Sequence, residues 1–209
     1  IGGGCIENRV AATAKESLVD GLPKTIEIDL DSDEMGMGIP CGGYMSVIVE
    51  PQMLNKTLLI RGMGGLTEIL CEMGSMLNFK VIVQTSEEEK ERYPSAAEII
   101  VDNLEIEDID FPVDYFILAT HHRNDDRVSL EALKKGIPYV GVVASTKKTG
   151  IILEYLRKNG VTEKELANFF SPTGLELNAK TPEQIALSIL SEMVMLENGG
   201  TGNQKKYKT

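Results

Sequence analysis

The sequence predicts an α/β fold: a parallel sheet with helices on both faces, preceded by a small α+β segment. Three observations carry this. From about residue 56, short apolar runs alternate with segments of helical period. The runs Leu58-Leu59-Ile60, Val81-Ile82-Val83 and Tyr115-Phe116-Ile117-Leu118 are apolar throughout, as strands covered on both faces must be. The first run leads through closely spaced glycines into the first helical segment.

In chain order, Ile6, Val10, Ala14 and Leu18 recur every four residues and predict a helix over 6–18, stopped by Gly21 and Pro23. Residues 25–30 and 44–49 read as strands around a turn-rich loop over 31–40. From Leu58 a strand is followed by one helix face marked by Leu66, Ile69, Leu70, Met73 and Leu77. Strands are expected at 80–83, 98–101, 113–119 and 139–143, and residues 86–92 as a charged loop or short helix. Helices are expected at 126–135, 146–158, 163–169 and 182–196. Thr162 with Glu165 fits a capping box, and Thr181-Pro182 fits an N-cap followed by proline in the first turn. The expected organisation is a cysteine-bearing segment at 1–55, a Rossmann-like domain at 56–198 and a disordered lysine-bearing tail at 199–209.

Lys and Arg total 21 against 32 Asp and Glu, a formal net charge of −11 over 209 residues. Such a surface repels phosphate backbones and anionic lipid, so no nucleic-acid or membrane partner is expected. No run approaches the roughly 18 apolar residues of a membrane span. Three cysteines do not make a disulfide framework, and with no signal peptide visible the expected compartment is the cytoplasm. The opening Ile1-Gly2-Gly3-Gly4-Cys5, without an initiator Met, suggests processing or missing upstream residues.

The stretch Leu58–Thr67 runs strand, glycines, helix, the context of a dinucleotide fingerprint. Gly62 would permit the tight turn, Gly64 would let a pyrophosphate approach, and the helix starting near Gly65 would supply N–H groups. The third glycine position holds Thr67, a larger residue that would hold the helix off the strand. The ribose-gripping position about 20 residues on holds Gln84, a neutral acceptor, and Glu87, Glu88 and Glu89 oppose a 2′-phosphate. The alternative is a tight strand–helix turn with no ligand.

Cys5 follows three glycines and opens a helix, and Cys41 precedes Gly42-Gly43. Such thiols are ligand and nucleophile candidates, although small buried residues beside turns are the commoner fate of free cysteine. Cys71, mid-helix, reads as structural. Thr120-His121-His122-Arg123-Asn124-Asp125-Asp126 ends a parallel strand where such sheets bind ligands. His121 is the site candidate, and Asp126 is equally site or helix cap. Ser145 and Lys147 offer a second anion contact after the fifth strand.

Taken together, these pieces resemble the xanthine dehydrogenase accessory (XdhC/CoxI) family. Gly3-Gly4-Cys5-Ile6-Glu7, Cys41-Gly42-Gly43 with Glu50-Pro51, Gly62-x-Gly64, Thr120-His121 with Asp126 and Leu130, Tyr139-Val140-Gly141 with Ser145, Pro172-x-Gly174-Leu175 and Thr181-Pro182-Glu183 look like its motifs. The departures are Gly65 and Thr67 for its usual His and Ala, Gln84 for Asp, Ala144 for Gly, Glu176 for Asp and Asn178 for Gly. The resemblance implies an accessory chaperone rather than a turnover enzyme. It would bind molybdenum cofactor (molybdopterin), support its sulfuration with a cysteine desulfurase, and deliver it to an apo molybdenum hydroxylase. It also implies a homodimer. The implied cofactor contacts are Cys5, Glu7, Cys41, Gly62, Gly64, Gly65, Gln84, His121, Asp126, Ser145 and Lys147, with Cys5 and Cys41 touching molybdenum or sulfur. The rival reading is an NAD(P)-dependent oxidoreductase using the same crevice.

Overall fold

The computed structural model describes residues 4–29, 43–51, 55–101, 105–120 and 124–205. The chain divides into two units, Ile1–Leu54 and Asn55–Thr209. In the first, helix α1 (Gly4–Asp20) packs on an antiparallel pair, β1 (Lys24–Asp29) and β2 (Tyr44–Val49). Lys24 pairs with Val49 and Asp29 with Tyr44. Alternation sends Ile26 and Ile28 inward, while Tyr44 and Ile48 stay exposed.

In the second unit, the apolar runs become a six-stranded, all-parallel sheet. Its elements are β3 (Thr57–Gly62), α2 (Gly65–Met76), β4 (Lys80–Thr85), β5 (Glu98–Val101), β6 (Tyr115–Ala119), α3 (Asp125–Lys134), β7 (Val140–Val142), α4 (Thr146–Lys158), α5 (Glu163–Leu166), β8 (Phe169–Phe170) and α6 (Pro182–Glu197). The strand order is β5-β4-β3-β6-β7-β8. The chain therefore winds outward one way from β3, then returns to β6 and winds the other way. This is the doubly wound Rossmann order, and its switch point falls between β3 and β6.

Successive strand residues feed opposite faces. Leu58, Ile60, Val81, Val83 and Ile117 pack with Leu70 of α2 and Ile189, Leu190 and Met193 of α6. Leu59, Ile82, Phe116, Leu118 and Val142 pack with Leu130 and Leu133 of α3 and Ile152 and Leu156 of α4. Each fully buried Leu or Ile contributes about 1.5–3 kcal/mol, so the two faces together dominate this unit's stability.

One predicted helix is shorter than its pattern. The capping box of Thr162 and Glu165 forms, but α5 ends at Leu166 rather than at residue 169. The Asn168 carbonyl accepts the Val140 N–H at 2.8 Å, and Phe169 and Phe170 pair with Val140 and Gly141 as the sixth strand. Sheet pairing here overrides the helical pattern. Phe170 then stacks on Tyr139, with ring centroids 4.1 Å apart. The charged stretch after β4 closes in a single 3-10 turn at Lys90–Arg92.

Candidate functional site

The site begins at the turn between β3 and α2. Gly64 caps α2 with φ 77° and ψ −169°, a region open essentially to glycine alone. A Cβ built at Gly64 or Gly65 meets nothing within 4 Å, so the space above this turn is open. The first N–H groups of α2 have no intrahelical acceptor and carry the positive end of the helix dipole. Gly62 does different work. A Cβ there would lie 2.5 Å from Thr67 Oγ1, 2.8 Å from the Ala119 carbonyl oxygen and 3.0 Å from Ala119 Cβ. Its bare backbone makes room for the fully buried Thr67, whose hydroxyl donates to the Met63 carbonyl at 3.3 Å.

Gln84 is buried, and its Oε1 accepts the Arg61 Nε–H at 2.6 Å. Burial pulls the Arg61 guanidinium below its ordinary pKa. A carboxylate at the glycine turn comes instead from Glu89. Its Oε2 accepts the Gly64 N–H at 2.9 Å and the Tyr93 hydroxyl at 3.1 Å. Arg92 reaches both of its oxygens at 3.2 Å and extends to Glu68 of α2 at 3.0 Å. The Gly64 N–H, with Tyr93 and Arg92 behind it, holds Glu89 below the ordinary carboxylate value. Tyr93 is 1% exposed, and burial pushes its hydroxyl pKa up.

Across the switch point, the Thr120 hydroxyl donates to Asp125 Oδ1 at 2.5 Å, and the Lys148 ammonium pairs with Asp125 Oδ2. Asp125 is 2% exposed. Asp126 is half-buried, and its carboxylate accepts the neighbouring Arg127 N–H at 2.8 Å. Lys147 is exposed, while Lys148 folds inward. Ser145 caps α4, its hydroxyl accepting the Lys148 N–H at 3.3 Å. Asp125 and Lys148 are thus the polar pair that the sequence reading missed. Helical period points to both. Counting back in fours from buried Leu133 reaches Ser129 and Asp125, and from buried Leu156 reaches Ile152 and Lys148.

Beyond β7 lies a cavity of about 430 Å³, lined by Val143, Ala144, the loop 172–179 and Ile185 and Ser188 of α6. Gly174, with φ 105°, shapes it, since a Cβ there would sit 2.2 Å from Ser188 Oγ. Thr173 of that lining is tied to Tyr139, whose hydroxyl is shared between Thr173 Oγ1 and Glu192 Oε2. Burial raises the Tyr139 pKa far above its ordinary value.

The remaining expected contacts divide between the two units. Glu7 is exposed in the first turn of α1. Cys5 lies in the same turn, but its side chain is outside the described residues, as are Cys41 and His121. Gly62, Gly64, Gly65 and Gln84 converge at one end of β3 and β4, while Asp126, Ser145 and Lys147 lie on helices that follow β6 and β7. Cys71 is buried at 1% exposure, and burial pushes its thiol up to about 11.

Comparison with known proteins agrees with this architecture. Residues 58–193 match the XdhC Rossmann domain. The uncharacterised protein YqeB of Escherichia coli (strain K12) is 28% identical over 210 residues, covering 97% of this chain and 39% of its own length. A protein of Bacillus subtilis (strain 168), named as one of the subunits of a probable xanthine dehydrogenase, is 31% identical over 85 residues, covering 40% of this chain and 24% of its own. The chain thus spans well under half the length of the curated relatives it matches. A crystal structure named as a xanthine dehydrogenase from Bacillus halodurans shares the fold with a TM-score of 0.57 at 21% identity, covering 97% of this chain and 83% of that one. With the glycine turn, the doubly wound strand order and a family match over most of the second unit, the chain belongs to the XdhC family, and residues 58–193 form its Rossmann domain.

Proposed function

We propose that this chain is an accessory chaperone for a molybdenum hydroxylase of the xanthine dehydrogenase type. It binds molybdenum cofactor, supports sulfuration of that cofactor by a cysteine desulfurase, and delivers it to the apoenzyme. The observation that carries the reading is the match of residues 58–193 to the XdhC Rossmann domain, joined to a glycine turn whose space is open. What supports a phosphate contact at that turn is the open space beside Gly64 and Gly65 at the α2 N-terminus, where the Gly64 N–H already holds one anionic group, the Glu89 carboxylate. Among the described residues no group of three or more His, Cys, Asp or Glu could hold a metal ion. The family resemblance assigns the soft contacts to molybdenum or sulfur to Cys5 and Cys41. When bound, the cofactor supplies the molybdenum–pterin centre of the client, while this chain binds, orients and shields it.

No helix among the described residues is long and apolar enough to cross a membrane. The exposed Tyr44 and Ile48 of β2 support a homodimer through that strand, to be checked by light scattering. The Glu89 carboxylate at the glycine turn favours a second reading, in which the crevice takes NAD rather than NADP. Reconstitution of an apo-hydroxylase with cofactor and desulfurase separates the two. Cys5→Ala and Cys41→Ala should each lower activation of the client while Cys71→Ala leaves it unchanged, and equal behaviour of all three would remove the proposal.

A further inference from the structure

We infer that the valley between α2 and α6 takes an amphipathic helix of a partner protein, one whose apolar stripe is flanked by acidic residues. The inference does not depend on what the glycine crevice holds.

Helices α2 and α6 pack against each other on one face of the sheet. Each buries a first stripe there, α2 through Leu70 and Cys71, α6 through Ile189 and Met193. Each also carries a further apolar stripe at helical spacing. Met73, Met76 and Leu77 on α2 face Leu187, Leu190 and Val194 on α6 across a groove of about 830 Å³. Its outer lining stays open: Met76 is 77% exposed, Leu187 49% and Leu77 46%. None of the three acids of α6 lines it. Glu183 sits in the first turn, Glu192 accepts the Tyr139 hydroxyl and the Gly174 N–H, and Glu197 pairs with Lys56 at 3.6 Å. In a chain of net charge −11, an open helix surface of leucine and methionine without acids has the makeup of an interface core. Methionine side chains adapt their shape to an incoming surface.

The third wall is the chain after α6. The sequence predicts a disordered tail over 199–209, but the residues up to Lys205 turn back along the helix. The Gly200 N–H donates to the Met195 carbonyl at 2.7 Å. Gly202, with φ 67°, passes so close that a Cβ would lie 3.0 Å from Met195 Sδ. Lys205 ends this wall and is the one charged side chain lining the groove among the described residues.

These features choose the occupant. A valley between two helix ridges accepts a third helix by ridge-into-groove packing. A lone acyl chain would leave its outer side in water, whereas a helix covers the valley with its own polar back. A second copy docked about a two-fold axis would present the same hollow, and two hollows do not fill each other. Lys205 at the rim attracts acids beside the partner's stripe and repels lysines.

The test uses labelled alanine-based peptides of about 20 residues, long enough to hold a helix. One carries leucines at i, i+3, i+7 and i+10 with Glu at both ends of the stripe. A second has Lys in place of each Glu, and a third has the first one's composition with its leucines scattered around the helix. Fluorescence anisotropy follows their binding to the full chain, to Leu187→Asp and to Lys205→Glu. The wild type should bind the Glu-flanked stripe about threefold more tightly than the Lys-flanked one and the scattered peptide not at all. Leu187→Asp should weaken binding at least about tenfold by setting a charge in the apolar valley, and it should melt with the wild type because Leu187 is already half exposed. Lys205→Glu should reverse the preference, and this exposed change keeps the test decisive even if Leu187→Asp folds poorly. Equal binding of the scattered peptide would reduce the groove to general stickiness and end the proposal. An unchanged preference in Lys205→Glu would overturn the acidic partner. No binding of either striped peptide at about 1 mM would remove the helix site altogether. A wild-type dimer that Leu187→Asp converts to monomer in sedimentation would give the groove to a second copy and overturn the proposal.

Discussion

Adding one methyl group at Gly62 should weaken the fold, whereas the same change at Gly65 should not. Alanine at Gly62 places Cβ 2.5 Å from Thr67 Oγ1 and 2.8 Å from the Ala119 carbonyl oxygen. Thr67 is fully buried and has no room to swing away, and the Ala119 oxygen belongs to the neighbouring strand β6. Relief must come from shifting β3, β6 or α2, at a cost of about 1–3 kcal/mol. For a chain of this size each kcal/mol lowers the midpoint by about 2–4 °C, so Gly62→Ala should melt roughly 2–12 °C early. At Gly65 a Cβ meets nothing within 4 Å, and the backbone is not left-handed. Gly65→Ala should be neutral or stabilising, by up to about 1 kcal/mol, through the entropy of the unfolded chain. Thermal unfolding followed by circular dichroism compares the two variants. A Gly62→Ala protein melting with the wild type, or a Gly65→Ala protein losing as much as Gly62→Ala, would show that packing is not what Gly62 serves.

Three further outcomes follow from the same geometry. Lys148→Ala strands the buried Asp125 carboxylate and should cost about 2–3 kcal/mol, less than a fully enclosed pair because Lys148 is a third exposed, whereas Lys147→Ala should stay within about 0.5 kcal/mol; equal denaturant midpoints would contradict this. With its pKa near 11, roughly one Cys71 thiol in a thousand is ionised at about pH 8, so a disulfide reagent should leave it unlabelled until the protein unfolds, and prompt labelling of a Cys5→Ser, Cys41→Ser protein would refute the burial argument. The Glu89 pKa lies below its ordinary 4.5, so its stabilisation is complete above that value and is lost as pH falls through the lower folded-state value. The midpoint of the wild type should therefore drop more steeply on acidification than that of Glu89→Gln, and parallel curves would show that Glu89 is not held ionised by Gly64.

Much of the second unit is legible because its physics is periodic. Uniformly apolar runs such as Val81-Ile82-Val83 have no alternative to a doubly covered strand, and the caps at Thr162 and Thr181 depend only on neighbours three residues away. What escapes the pattern depends on contacts distant in sequence. Phe169 and Phe170 continue an apolar stretch and become a strand only because β7 presents Val140 and Gly141 to them. Between Asp125 and Asp126, composition cannot choose, but helical phase can, and it selects the residue next to Thr120 and Lys148. Glu89 is plain in the sequence as a negative charge near the glycines. Its bond to Gly64 follows from the turn at Ser86, whose shape is set by the folded loop rather than by any spacing rule.

Gly64 cannot serve as the variant that closes the crevice, since its φ and ψ exclude other residues without strain. Gly65→Asp can, because the site is open and an acid in the first turn suits the helix while occupying the anion position. The most direct test is to produce the chain in cells that make molybdenum cofactor, purify it, and measure bound molybdenum by mass spectrometry and pterin by fluorescence after oxidation. The account predicts that both co-purify with the wild type, that Gly65→Asp loses both, and that Cys71→Ala keeps both. A wild-type protein carrying neither, and failing to take up cofactor when incubated with it, would contradict the accessory role.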